Sequence, residues 1–204
     1  MQIEVDGLRI PVWPAGAIVL VILAVILWRR KHSFSHLMCF AVFGIYLLFA
    51  IDKAFFPIAI SGNYVDAMRE IPFSPFMNLS PFNFNFNLSE MPELVLMQIF
   101  QNVLLTVPFG FGVSFIAPLR SKDFLWLVPA IGIGIEATQL IISLILRYPY
   151  RVIDINDVIL NGLGVLVGYI IFRIFAWLYL WVTQRSSIKH GGLAAYIYAV
   201  VSQK

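Results

Sequence analysis

The sequence predicts an all-α fold: an integral membrane helical bundle of about five transmembrane helices with a long external loop. Three observations predict it. Hydrophobic residues make up 60% of the 204 positions and charged residues 12%, roughly half the charge of an ordinary soluble domain. Mean hydropathy is +0.87, and the apolar runs come in blocks of about 20 residues, the length that crosses a bilayer core. The basic residues gather between those runs rather than within them. The net charge of +3 is small and makes no case for nucleic acid as a partner. Cys39, the single cysteine, lies in an apolar run; it excludes an intrachain disulfide and a thiolate metal cluster and reads as a packing residue.

In chain order, residues 1–9 form a polar tail carrying Glu4 and Asp6, the wrong charge for the start of a signal peptide. Residues 14–28 make a somewhat short first span, stopped by Arg29, Arg30 and Lys31. Residues 37–56 are the second span, and 57–92 the long polar loop. The third span covers 94–119, a tight turn 120–123, the fourth span 124–146, and the fifth 158–181. The apolar run 193–201 is too short to cross and suits the membrane interface. Residues 1–190 therefore read as one transmembrane domain and 191–204 as a cytoplasmic tail. No internal repeat is visible, which speaks against a transporter built from inverted halves.

Orientation follows from the basic residues. Arg29, Arg30, Lys31, Arg120, Lys122, Arg185, Lys189 and Lys204 fall on one side, Arg9, Arg69, Arg147 and Arg151 on the other. The richer side is cytoplasmic by the positive-inside rule. The N-terminus is then expected outside and the C-terminus inside. Lys53 and Arg173 lie within spans. Lys53, about one turn from the external end, is expected to snorkel outward, so that a neutral replacement is nearly silent.

Within the external loop, Phe82, Phe84, Phe86 and Leu88 alternate with Asn83, Asn85 and Asn87, the period of a half-buried strand. The segment either rests its aromatic edge on lipid or forms a lip over an external pocket.

The chemistry concentrates between residues 132 and 168. Gly132, Glu136, Gln139 and Ser143 share one helical face, and Asp157, Asn161, Gly164 and Gly168 repeat the spacing on the next helix. Arg151 and Asp154 stand between these stripes. Counted at about 1.5 Å per residue from the external ends, Asn102 and Glu136 lie roughly 12–15 Å deep. Gln139 and Asn161 come out level with each other, within reach of a hydrogen bond, and Asp154 and Asp157 stay shallow beneath Arg151. Together the polar groups describe a funnel opening outward and ending at Glu136. Asp154 also suits the N-cap of the fifth helix, with Asp157 in its first turn. Asn102, Gln139 and Asn161 serve equally well as interhelical glue, and Gly164 and Gly168 as close-packing positions. A carboxylate at the depth of Glu136 must be protonated, paired or hydrated, and loss of function on Glu136→Gln is expected.

Four ordered blocks, NLSPF (78–82), QNVLLTVPFGFG (101–112), IEATQL (135–140) and RVIDINDVILNGLGVLVGY (151–169), resemble the VanZ-like bacterial membrane proteins, over about residues 37–172. The namesake of that family raises resistance to the glycopeptide teicoplanin. The resemblance implies a multi-pass protein of the bacterial plasma membrane. It marks Asn78, Pro81, Asn102, Pro108, Gly110, Glu136, Gln139, Arg151, Asp154, Asp157, Asn161, Gly164 and Gly168. Of these, Asn102, Glu136, Gln139, Arg151, Asp154, Asp157 and Asn161 are candidates for ligand binding. Asn78, Pro81, Pro108, Gly110, Gly164 and Gly168 are structural candidates, and Glu136, Asp154 and Asp157 are the candidates for any catalytic role.

No histidine lies near the funnel, no phosphate loop exists, and nothing in the spacing demands a metal or a cofactor. Three functions fit. One is a non-enzymatic envelope protein with membrane lipids as partners, whose funnel binds a lipid-linked cell-wall precursor or a lipoglycopeptide. The second is an intramembrane enzyme with Glu136 as acid or base on a lipid headgroup, and the third a small lipid or proton-coupled carrier.

Overall fold

The computed structural model describes residues 9–10, 12–84, 92–185 and 191–202. Among these described residues seven helices carry the fold: α1 (Trp13–Arg29), α2 (Phe34–Phe55), α3 (Asn63–Arg69), α4 (Pro92–Ile116), α5 (Phe124–Leu146), α6 (Ile155–Arg185) and α7 (Gly192–Ser202). Two-residue strands tie the loops: β1 (Arg9–Ile10) pairs antiparallel with β2 (Ile58–Ala59), and β3 (Met77–Asn78) pairs parallel with β4 (Ile153–Asp154).

Four helices, α2, α4, α5 and α6, are long and apolar enough to cross a membrane. α1 is apolar but has 17 residues, the lower limit for a span. The expectation of about five spans thus resolves into four long helices and this shorter one. α6 reaches 31 residues, about 46 Å, longer than a bilayer core, and forms the axis of the bundle. It starts at Ile155 rather than at 158, because Asp154 caps it there.

Glycine lets α6 approach its neighbours backbone to backbone. A Cβ built on Gly164 would collide with the Val103 carbonyl and the Thr106 hydroxyl of α4; one on Gly168 would strike the Val107 carbonyl. Gly110 stands in the same relation to Val165 from the opposite side, and Gly132 of α5 to the Val158 carbonyl. Without water to drive apolar helices together, such small-residue contacts and hydrogen bonds hold membrane helices. Gly164, Gly168 and Gly110 therefore have the close-packing role. The stripe Gly132, Glu136, Gln139 and Ser143 is buried along α5, as its spacing required.

α7 is the departure from the expected interfacial tail. It folds back against α6, α2 and α4, burying Val201 with Phe172 and Ala176. Tyr196 donates its hydroxyl to the Phe115 carbonyl and lies 2.9 Å from His36 Nδ1. Polar anchors of this kind do not show in an apolar nine-residue run.

Candidate functional site

The candidate site lies where α2 ends and α6 begins. Here three loops meet, and the backbone groups left over at helix ends need partners. The C-terminal end of α2 receives them from outside: Arg151 Nη2 donates to the carbonyls of Lys53 and Phe56 (both 3.2 Å), and Gln139 Nε2 to that of Ala54 (2.9 Å). A cation at a helix C-terminus also complements the dipole. The expected pairing of Gln139 with Asn161 gives way to this contact with the last turn of α2. Asn161 instead donates to the Asp157 carbonyl within its own helix (2.8 Å), and its backbone carbonyl accepts from the Thr106 hydroxyl (2.7 Å). Its side-chain oxygen is buried without a partner among the described residues.

A second knot ties the polar loop to the start of α6. Asp154 Oδ1 accepts from Asn78 Nδ2 (3.0 Å), from the Asn156 backbone N–H (2.8 Å) and from Asn156 Nδ2 (2.9 Å). The bond to the Asn156 backbone is the N-cap bond expected of Asp154. Both amides also donate to the Asn83 carbonyl, and the Phe82 N–H donates to Asn156 Oδ1 (2.6 Å). Pro81, exposed in the adjoining turn, leads the chain into this contact. Behind the knot, Glu136 Oε2 accepts from the Asp154 backbone N–H (3.1 Å). Glu136 and Asp154 are 5% and 6% exposed, so neither is the open floor or shallow rim of a funnel. Asn156, absent from the sequence-derived candidates, is as central as Asp154; it lies between Asp154 and Asp157 and off the Asp157–Asn161–Gly164 stripe, so no periodic signal marks it.

Beside the knot is a cavity of about 810 Å³ between α2, α4, α5 and the α5–α6 loop. Asn102, Gln139, Arg151 and Asp157 line it, together with Lys53, Gln98, Gln101 and Tyr150, which the sequence did not single out as ligand-binding. Glu136, Asp154 and Asn161 do not. Asp157 Oδ1 accepts from Gln98 (3.1 Å) and Asn102 (2.6 Å), joining α6 to α4 across the cavity wall. Phe49, Leu104, Leu105 and Ile135 supply apolar wall. Phe49 and Leu104 are 48% and 52% exposed, so the cavity opens sideways between helices.

The loop that closes the cavity is itself pinned. The Tyr148 hydroxyl donates to the Ala59 carbonyl (2.6 Å). Burial raises the phenols of Tyr148 and Tyr150 above their ordinary values, so both stay neutral donors. On α4, Pro108 removes a backbone donor from the helix interior. Next to that opened turn the Tyr46 hydroxyl, also on the cavity wall, donates to the Leu105 carbonyl (2.7 Å).

The family model for VanZ/LLP1 matches residues 43–176. The chain belongs to the VanZ/LLP1 family. The matched stretch contains the whole cavity and the whole Asn78–Asp154–Asn156 knot, and leaves α1 and α7 outside. Comparison with curated proteins and with solved structures gave no match. In this VanZ/LLP1 chain the 13 marked positions divide by place: Asn102, Gln139, Arg151 and Asp157 on the cavity, Glu136, Asp154 and Asn78 in the knot with Pro81 beside it, and Pro108, Gly110, Asn161, Gly164 and Gly168 in the α4–α6 packing. The aromatic–asparagine alternation falls largely on residues 85–88, which lie outside the described residues. Phe82 to Phe84 form a turn rather than a strand.

Proposed function

We propose that this chain is a VanZ-like protein of the bacterial plasma membrane, with its N-terminus outside and its C-terminus cytoplasmic, that lowers susceptibility to lipoglycopeptides such as teicoplanin by binding a lipid-linked or acylated ligand in the cavity. The observation that carries this reading is the cavity's make-up: cations and amides at one end, apolar wall and a sideways opening at the other. Its volume falls within the roughly 300–1,000 Å³ of small-molecule sites. An amphiphile matches that division, its head among the polar groups and its hydrocarbon toward the lipid-facing side. Membrane lipids, a lipid-linked cell-wall precursor and the lipoglycopeptide itself share this chemistry.

Binding accounts for the carboxylates better than catalysis does. An acid or base must come within hydrogen-bond reach of the reacting group. Glu136 sits behind the wall with Oε2 engaged by a backbone N–H, and Asp154, also off the wall, has Oδ1 engaged by three N–H donors. Asp157, which does line the cavity, is held by two amides.

The test is teicoplanin susceptibility of a sensitive bacterial host expressing the chain, beside a blot of its membrane fraction. Ile135→Trp, which fills the cavity from its apolar wall, is expected to abolish the tolerance given by the unaltered chain while the protein still accumulates. Undiminished tolerance at equal protein level removes the cavity from the function. No tolerance from the unaltered chain refutes the antibiotic reading itself.

A further inference from the structure

We propose that the cationic corner of the cavity seats the phosphate head of a membrane lipid, whose hydrocarbon runs into an adjoining apolar groove between α2, α4 and α5. This rests on the reading of the cavity as an amphiphile site and names the class of its ligand.

The corner is defined by backbone geometry. Arg151 is clamped on the carbonyl of residue 53, and the Arg151 and Lys53 side chains both line the cavity. Arg151 places Nη2 on the α2 carbonyls, and its guanidinium lies beside the Tyr150 side chain on the cavity wall. Lys53 makes no ion pair among them; its ammonium stands 5.7 Å over the Phe49 ring, on the same wall. The Tyr150 hydroxyl, adjoining this guanidinium, is buried without a hydrogen-bond partner among the described residues. Asp157 is the one carboxylate on the wall, and two amides already hold it. Two cations, a buried hydroxyl and the free N–H groups of Gln98 and Asn102 thus face one carboxylate. That donor excess suits a tetrahedral anion with several acceptor oxygens, which guanidinium and ammonium recognise in complementary ways.

The hydrocarbon path is continuous with this seat. A groove of about 190 Å³ shares Tyr46, Ala54, Leu105 and Ile135 with the cavity and adds Leu47, Ile51 and other apolar side chains. A free phosphate would leave that groove unfilled. A neutral lipid would leave the donors unpaired, which a site built to hydrogen-bond rejects strongly.

The experiment uses the full chain in detergent micelles and measures binding by native mass spectrometry. Three probes are compared: dioleoyl phosphatidic acid, dioleoylglycerol (the same chains without phosphate) and inorganic phosphate. Phosphatidic acid is expected to bind at least about tenfold more tightly than dioleoylglycerol, and inorganic phosphate not to displace it. Lys53→Gln, at a side chain with no hydrogen bond to lose, is expected to weaken phosphatidic acid about tenfold and leave dioleoylglycerol unchanged. Equal binding of the two lipids, or an unaffected Lys53→Gln, overturns the phosphate seat while the amphiphile site stands. Binding of inorganic phosphate as tight as that of the lipid overturns the lipid as its source. Binding of neither lipid overturns the amphiphile reading with it.

Discussion

Replacing Asp154 by Ala tests the knot at its most connected atom. Oδ1 accepts three hydrogen bonds, one of which caps α6. Losing the cap costs about 1 kcal/mol. Here the lost cap bond leaves the Asn156 backbone N–H orphaned in a position 1% exposed, which raises the cost of that same bond to about 1–3 kcal/mol. The Asn78 and Asn156 amides lose one acceptor each but keep the Asn83 carbonyl, so their contribution is smaller. These terms share partners and are not additive; about 3 kcal/mol is the expected net loss. Asp154→Asn keeps the cap and an acceptor oxygen, and is expected to cost less than about 1 kcal/mol. In a chain of this length 1 kcal/mol moves the melting temperature by about 2–4 °C, so Ala is expected to lower it by about 6–12 °C. Far-UV circular dichroism of the purified protein in detergent measures it. An Ala variant melting with the unaltered protein, or an Asn variant as unstable as Ala, would refute the knot.

Three further outcomes are expected. Gly164→Ala, whose Cβ meets the Val103 carbonyl and Thr106, should destabilise by about 1–3 kcal/mol, whereas Gly134→Ala, with nothing within 4 Å, should be neutral or stabilise by up to about 1 kcal/mol; thermal melts that rank them the other way contradict the α4–α6 crossing. Glu136→Gln keeps an acceptor for the Asp154 N–H and should retain the fold and lipid binding, while Glu136→Leu should lose stability; a well-folded Gln variant that binds no lipid assigns the carboxylate to the ligand. Single cysteines at Ser80 and Lys122, in a Cys39→Ser background, should react differently with an impermeant maleimide on intact cells, Ser80 being the labelled one; equal labelling refutes the proposed orientation.

What the sequence disclosed was periodic. The spacing of Gly132, Glu136, Gln139 and Ser143 located the buried face of α5, because a helix repeats every 3.6 residues whatever surrounds it. Gly164 and Gly168 were legible for the same reason. The cap was legible too, since an Asp just before an apolar helix has a local use. What could not be read was which partner each polar group would take. Gln139 turned to Ala54 and not to Asn161, a choice made by the packing of α2 and the needs of its exposed carbonyls. Lys53 looked like a residue reaching for the surface, and it is exposed; that it also shares a cavity wall with Arg151, nearly 100 positions later in the chain, has no local sequence signal.

The division of labour among the polar groups follows from the membrane setting. A helix end covered by other segments cannot leave its carbonyls bare, because each buried unsatisfied group costs about 1–3 kcal/mol. α2 ends beside α5 and a loop, and Arg151 and Gln139 are spent on its last turn. That turn forms one wall of the cavity, facing α4 and α5. The knot does the corresponding work for α6, fixing its first turn so that Asp157 points to Gln98 and Asn102. Glu136 and Asp154 thereby act on the cavity through backbone position, without lining it. Arg151 does both: one nitrogen holds α2, and its charge lies on the cavity wall. A substitution at Arg151 therefore alters shape and charge together, which is why the test of the seat is placed on Lys53, where the charge can be removed and the architecture left standing.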